Sequence, residues 1–418
     1  MSNILIHSLV FSPDGVSTAY LMTELAVELK RIGHFVTVIS TTPHYNILKE
    51  KVESQPMRKH WLGLLYSSEI EGIKVWHVKV PYKGRRVWLR VLDYLRFHVL
   101  SVFVAVLKVK RQDVVIATSP PLTMGIMSWL LAKIWSVPSV YKVAEIYPDV
   151  AIRQGIVKNK AFIWLLKKIE RFIYRKNTVI IPIAEQFAKV VEKRGVLRSK
   201  LKTIPDFVDV DFYCPKERKN EFSIKYNLTD EFIVLYAGNI GIVQDWEIVL
   251  YAAECLKNYP IKFVIIGDGA KRGWLREQIT KRSLTNILLL GYQLKEMMPL
   301  VNASCDVSII PMNIAGSKDG VPSKIYSIMS CAKPPIALVD EDSEIRYIIG
   351  QSGCGKAVSI GDGEAFVNAI LEAYNDRENL HIMGMKGREY VKNHYSKEAI
   401  VSKYDELIKE LTKLKIAK

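Results

Sequence analysis

Short apolar runs rich in β-branched residues alternate with longer stretches whose apolar positions recur every three to four residues. In the first half the strand-like runs fall at 4–10, 36–40, 75–80, 114–118, 139–143 and 179–182. The first leads into a helical pattern over 20–32 that Gly33-His34 ends. The second half repeats the rhythm at 233–237, 262–266, 287–290, 307–310 and 335–338. Because parallel neighbours need a helix-length crossover, this alternation predicts parallel sheets with helices on both faces. A chain of 418 residues exceeds one comfortable core, so two doubly wound, Rossmann-like α/β domains are expected. The segment 204–213, mixed and without a clean period, reads as the linker. The expected division is 1–204, 205–395 and a closing segment 396–418, where Ile400, Tyr404, Leu407, Ile408 and Leu411 form the stripe of an amphipathic helix. Ligands of such sheets bind beyond the strand C-termini, which for two facing domains places the expected site in the cleft between them.

Composition narrows the class. Hydrophobic residues at 49% and charged residues at 24% belong to a globular chain, not a disordered one. Cys214, Cys255, Cys305, Cys331 and Cys354 are scattered with no Cys-x-x-Cys pair, which points to a reducing compartment and away from structural zinc or a disulfide framework. The start of the chain has no basic leader and turns at Pro13-Asp14-Gly15, so it reads as a first strand, not a signal peptide.

The formal charge of +16 asks for a partner. It is most concentrated at Lys83, Arg85, Arg86, Arg90 and Arg96, interleaved with Trp88, Tyr94 and Phe97, before an apolar run closed by Lys108, Lys110 and Arg111. Arginines and aromatics at helical spacing suit an anionic membrane surface, so residues 83–111 are the expected contact. A buried helix pair with a solvated basic face would give the same pattern. The apolar stretch between His98 and Lys108 is too short to span a bilayer. No recognition motif accompanies the charge, so no nucleic acid partner is expected.

Two turns carry candidate chemistry. Gly320-Val321-Pro322-Ser323-Lys324 opens an apolar helical segment, where unpaired amides, the helix dipole and an ammonium would all favour an anion. An ordinary strand-to-helix connection with a solvated lysine fits equally. The second turn, Gly238-Asn239-Ile240-Gly241, follows the run 232–237 and precedes a helical pattern from Trp246; glycines there permit close approach to a phosphate. Gly350-Gln351-Ser352-Gly353-Cys354-Gly355-Lys356 has P-loop spacing, but Ala357 stands where that motif needs Ser or Thr, and it reads as a loop.

Taken in order, these motifs carry a resemblance. Pro13-Asp14-Gly15 with Gly33-His34-Phe35, Thr118-Ser119-Pro120-Pro121, Glu145-Ile146-Tyr147-Pro148-Asp149, Tyr236-Ala237-Gly238-Asn239-Ile240-Gly241, Ile266-Gly267-Asp268-Gly269 and Val321-Pro322-Ser323-Lys324 run nearly end to end. The chain resembles family-4 glycosyltransferases of the GT-B fold, in the bacterial surface-polysaccharide branch that includes N-acetylfucosamine transferases. The resemblance implies retaining transfer from a nucleotide sugar, UDP-linked, to a lipid-linked glycan acceptor. It also implies a closing helix that packs back across the hinge, and a cytoplasmic location peripheral to the inner face of the cell membrane. By similarity Gly238, Asn239 and Gly241 line the diphosphate, Gly291 and Tyr292 offer backbone groups to the base, and Lys324 offsets phosphate charge. Gly15, Gly267, Asp319, Val321, Pro322 and Ser323 complete the expected donor set. The acidic pair Asp340 and Asp342 reads as a surface loop, and no metal or other cofactor is expected, since fixed dipoles and a cation can stabilise the leaving diphosphate.

Five positions depart from the family pattern. The paired glutamates fall on Asp319 and Ser327, the arginine after the first glycine turn is Ile242, and the acceptor-side motif reads Glu145 and Tyr147 instead of Asp and Trp. Glu145 is the expected catalytic carboxylate, able to orient an acceptor hydroxyl. Asp149, four residues on, shares that role or caps a helix. His7 and His44 stand at strand ends expected to reach the cleft, as active or structural histidines. A sugar-nucleotide epimerase and a non-catalytic membrane scaffold remain as alternatives.

Overall fold

The computed structural model describes every residue except 46, 48, 81–86, 154, 417 and 418, and its side chains except, in addition, those of 87, 88, 90, 91, 318, 319 and 414–416. Lys83, Arg85 and Arg86, and the side chains of Trp88, Arg90 and Asp319, therefore lie outside the described residues. The chain divides into two units, Met1–Pro205 with Val401–Lys418, and Asp206–Ile400.

The first unit is built on eight strands: β1 (Asn3–His7), β2 (Phe35–Thr41), β3 (Arg58–His60), β4 (Leu65–Ile70), β5 (Ile73–Val78), β6 (Val114–Thr118), β7 (Ser139–Val143) and β8 (Val179–Pro182). Their order is β3-β4-β5-β2-β1-β6-β7-β8. From β5 to β8 the pairing is parallel, as the alternation of runs requires, and central β1 buries Ile4, Leu5 and Ile6 completely. Two features differ from expectation. β3 and β4 add an antiparallel edge that polar Arg58-Lys59-His60 does not announce as a strand. β1 stops at His7, because Ser8 and Val10 turn on a hydrogen bond from Ser8 Oγ to Val10 O at 2.7 Å.

On one face the helices Val87–Lys108, Met124–Trp135 and Lys160–Lys176 lie side by side, the middle one touching both others. Trp129 meets Phe172 edge-on at 5.1 Å between centroids and ties the second helix to the third. The closing helix Lys397–Ile416 belongs to this unit from Val401 onward; Asp405 receives His34 Nε2 at 3.0 Å and Glu410 pairs with Lys202 at 3.3 Å. Among the described residues no helix is long and apolar enough to cross a membrane.

The second unit holds β9 (Phe232–Ala237), β10 (Ile261–Ile266), β11 (Ile287–Leu290), β12 (Val307–Pro311), β13 (Pro335–Val339) and β14 (Lys356–Ser359), all parallel, in the order β11-β10-β9-β12-β13-β14. Phe232, Val234, Tyr236, Phe263, Leu338 and Phe366 form the main core on one face of this sheet. β9 pairs with β10 on one side and β12 on the other, so strand order reverses there, the position where such sheets open a crevice at their C-terminal edge. The P-loop-like stretch is not the expected loop. Ile345, Ile348 and Ile349 bury one side of the helix Glu344–Ser352, Gly353 caps it at φ 63°, and Lys356 opens β14 in an ion pair with Glu372 at 2.8 Å.

Candidate functional site

The C-terminal edge of the second sheet brings the two phosphate-type turns of the sequence together. Near the end of β9 stands Tyr236, whose buried ring packs edge-on against Trp246 at 4.8 Å. Above that ring sits the ammonium of Lys324, Nζ 3.7 Å from the centroid. Gly238 has φ 148°, so its backbone angle favours glycine, and a Cβ built there would lie 2.9 Å from the same nitrogen and push the amine aside. Some 85 residues of sequence thus collapse into one contact.

Lys324 keeps part of its surface accessible, yet protein encloses the ammonium, and burial presses its pKa from 10.5 down to about 7. Among the described residues no carboxylate pairs with it. The ring face of Tyr236 is its partner.

The supporting amides are fewer than the sequence suggests. In the first turn Gly238 N donates to Ile266 O at 2.9 Å, Ile240 N to Asp268 O at 2.8 Å, and Gly241 N to Gln244 Oε1 at 2.9 Å. Only Asn239 N, on an exposed residue, lacks a protein acceptor among the described residues. Gly241 therefore shapes the turn, with Trp246 Nε1 bonding its carbonyl at 3.0 Å, and does not aim an amide at a ligand. Gly267 is likewise a packing residue: a Cβ there would sit 1.9 Å from Gly238 O.

The second turn is freer. Val321, Ser323 and Lys324 donate from their amides to no protein acceptor among the described residues, while Ile325 N and Tyr326 N close the helix start on Pro322 O and Ser323 O. Val321 packs on the neighbouring core, Ser323 is exposed, and Pro322 is partly buried. Ser327, at the family's second glutamate position, spends its hydroxyl on Lys324 O at 3.0 Å. Gly291 and Tyr292 follow β11, and Tyr292 is 77% exposed. Asn313 ties the β12 loop to the first turn, donating from Nδ2 to Ile242 O at 2.8 Å and from its amide to Val243 O at 3.0 Å.

In the first unit Glu145 lies two residues beyond β7, half-buried, where Ser119 Oγ accepts Ala144 N at 2.9 Å and fixes the strand end. Burial and the neighbouring Glu145 carboxylate, to which the Tyr147 hydroxyl bonds, hold that phenol protonated, with Tyr94 and Tyr45 within electrostatic range. Sequence reading missed Tyr45 and Tyr94, which come within electrostatic range of Tyr147 from the β2 loop and the helix Val87–Lys108.

Asp14 is a third missed residue. Its Oδ1 accepts the amides of His44 and Tyr45, each at 2.8 Å, and burial pushes its carboxyl up to about 6. Gly15 N bonds Tyr45 O at 3.2 Å, so this motif clamps the loop that carries Tyr45. Asp149 opens the helix Asp149–Arg153 and is held by Arg194, which also grips buried Glu170, so its carboxylate is engaged in an ion-pair bridge. His7 does not reach the surface. It is fully buried, stacked on Phe97 at 5.0 Å, and burial drives its pKa to about 3, leaving it neutral. His44 Nδ1 lies 3.0 Å from Thr41 Oγ1 and 3.9 Å from Asp14 Oδ2. Among the described residues no group of three or more His, Cys, Asp or Glu could hold a metal ion.

Compared along its whole length, this architecture is that of the GT-B glycosyltransferases. The Anabaena protein HepE, solved in complex with UDP, superposes with a TM-score of 0.73 over 98% of this chain and 100% of its own, at 14% identity. Each unit also matches a family of its own, a glycosyl transferase 4-like domain over residues 18–206 and a glycosyl transferases group 1 domain over 218–390. The chain belongs to the glycosyltransferases that join these two domains, family 4 in the GT-B class. WbjE of Pseudomonas aeruginosa, provisionally named a glycosyltransferase, is 23% identical over 73% of this chain and 76% of its own. WcaI of Escherichia coli, provisionally named a colanic acid biosynthesis glycosyl transferase, is 22% identical over 96% of this chain and 98% of its own.

Proposed function

We propose that this glycosyltransferase works in cell-surface polysaccharide biosynthesis, moving a hexose or N-acetylated aminosugar from a UDP-sugar to a lipid-linked glycan with retention of configuration. The observation that carries the reading is Lys324, a buried ammonium with an aromatic face and no carboxylate beside it among the described residues, set against the Gly238 turn. In this reading the acceptor oxygen forms the new bond to the anomeric carbon as the bond to the β-phosphate oxygen breaks. The electron pair leaves with UDP, and the hydroxyl proton passes to the departing phosphate. Lys324 and the free amides of Asn239, Val321 and Ser323 stabilise the charge that develops on that phosphate, with no metal required. Glu145 orients the acceptor hydroxyl.

The likeness to WcaI supports the polysaccharide pathway, and the UDP complex of HepE supports the nucleotide. A lipid-linked acceptor accords with a cytoplasmic, membrane-peripheral enzyme, and the helix Val87–Lys108 exposes Leu95, Phe103 and Leu107 for the contact. The test is thermal stabilisation by UDP-, GDP- and dTDP-sugars followed by transfer assays on a membrane-derived acceptor, with and without a chelator. The reading stands if a UDP-sugar stabilises the protein and UDP release needs the acceptor. It falls if UDP fails to bind, or if donor is converted with no acceptor present.

A further inference from the structure

We propose that the helix Lys160–Lys176 is a second membrane-docking element, seating on the interface of an anionic bilayer in addition to the helix Val87–Lys108. The inference rests on the membrane-peripheral reading above, and it concerns a segment that the charge pattern of the sequence does not single out. Near its start this helix leaves three large apolar side chains in solvent, with Phe162 46%, Trp164 59% and Leu165 45% exposed. The start itself is fixed, because Asn159 Oδ1 accepts Phe162 N at 3.0 Å and holds the first turn in place.

Charge completes the match. Lys167, Lys168 and Arg171 are exposed one to two turns further on, and Lys168 Nζ lies 3.7 Å over the Trp164 ring. The single acidic residue of the helix, Glu170, is turned inward and held by Arg194, so the outer face carries cations alone. Apolar anchors with a tryptophan, flanked only by lysine and arginine, fit the boundary between acyl chains and anionic headgroups, where long basic side chains extend toward phosphates. A protein interface fits less well, since lysine is depleted in such patches. The position is also right. The helix Met124–Trp135 touches both neighbours, placing Phe162 and Trp164 in the same helical layer as exposed Leu95, Phe103 and Leu107.

The test is flotation of the full chain with vesicles of phosphatidylcholine, with and without phosphatidylglycerol. Phe162→Ser/Trp164→Ser/Leu165→Ser should lower the fraction bound to anionic vesicles by about tenfold or more. Lys167→Glu/Lys168→Glu, on exposed positions that keep the melting temperature, should weaken the same binding by about tenfold or more. Wild-type flotation by both variants overturns the proposal; if Leu95→Ser/Phe103→Ser alone abolishes flotation, the broader membrane reading survives without it. If the wild type floats with neither vesicle, both readings fall. Intact flotation with a shift from dimer to monomer in the serine variant would assign the patch to self-association and overturn the proposal as well.

Discussion

Raising the pH should strip this enzyme of its nucleotide well before any lysine in water would lose its proton. Lys324 has a pKa near 7 in the free protein against an ordinary 10.5, with burial the cause. A bound diphosphate supplies the missing counter-charge and returns the bound-state value toward 10.5. Binding then takes up a proton wherever the free amine is neutral. Above pH 7 each unit costs close to tenfold in affinity, so UDP binding falls about fiftyfold between pH 7 and pH 9, roughly 2.3 kcal/mol. The window lies above the second phosphate pKa of about 6, so the ligand's own titration contributes little.

Isothermal titration in buffers of different ionisation enthalpy measures this directly, with uptake of about 0.9 proton per UDP at pH 8 expected from that linkage. Lys324→Met should bind more weakly at pH 7 and show neither uptake nor slope. The unliganded protein carries the opposite sign. Between about 7 and 10.5 the unfolded chain binds a proton at this amine that the folded chain does not, so this group's contribution to stability rises with pH across that interval. Zero proton uptake at pH 8, together with equal affinity at pH 7 and pH 9, would refute the argument.

Glu145→Gln should cut kcat for transfer by about 10²-fold or more while leaving UDP affinity unchanged, as steady-state kinetics and calorimetry would report. Asp149→Asn should instead keep kcat within about threefold and lower the melting temperature, since it loosens the Arg194 bridge to buried Glu170. Gly267→Ala, at φ 144° with Cβ 1.9 Å from Gly238 O, should cost about 2 kcal/mol or more and weaken UDP binding with it, whereas Gly291→Ala, with nothing within 4 Å, should change stability little in the same thermal melts. Asp14→Asn should raise the melting temperature at pH 8 relative to pH 4, because the raised carboxyl pKa of about 6 makes the native ionised form unfavourable above that pH and the amide still accepts both loop amides.

The parts of this molecule legible in the sequence are those written in local periodicity. Every expected parallel strand of the second unit is present because each is a continuous apolar run, and four of the five are buried on both faces, which leaves few alternatives; edge strand β11 is only partly buried. Strands β3 and β4 were not legible, since an edge pair with one polar face carries no continuous run. The site divides the same way. Lys324 and Gly238 stand out as two separate turns, but nothing in their spacing says that the glycine is the hole into which the amine fits. That fact needs Tyr236 as a floor and β9 beside β12, which are long-range pairings.

The same limit explains why amides expected to be free are mostly spent. A glycine turn advertises its N–H groups only if no neighbouring loop claims them, and here the β10 loop and Gln244 do so. The consequence bears on mechanism: with the arginine position occupied by Ile242 and three of four turn amides engaged, the charge on a leaving diphosphate falls chiefly to one ammonium and the second turn. A site that relies on a single depressed lysine must be pH-sensitive in a way that a guanidinium, always charged, would not be. Ile242→Arg should therefore raise UDP affinity by about tenfold at pH 7 and at pH 9 alike, because a guanidinium stays charged across that range while Lys324 still titrates. An affinity unraised at both pH values in that variant would mean that the phosphates of the ligand do not lie against the Gly238 turn.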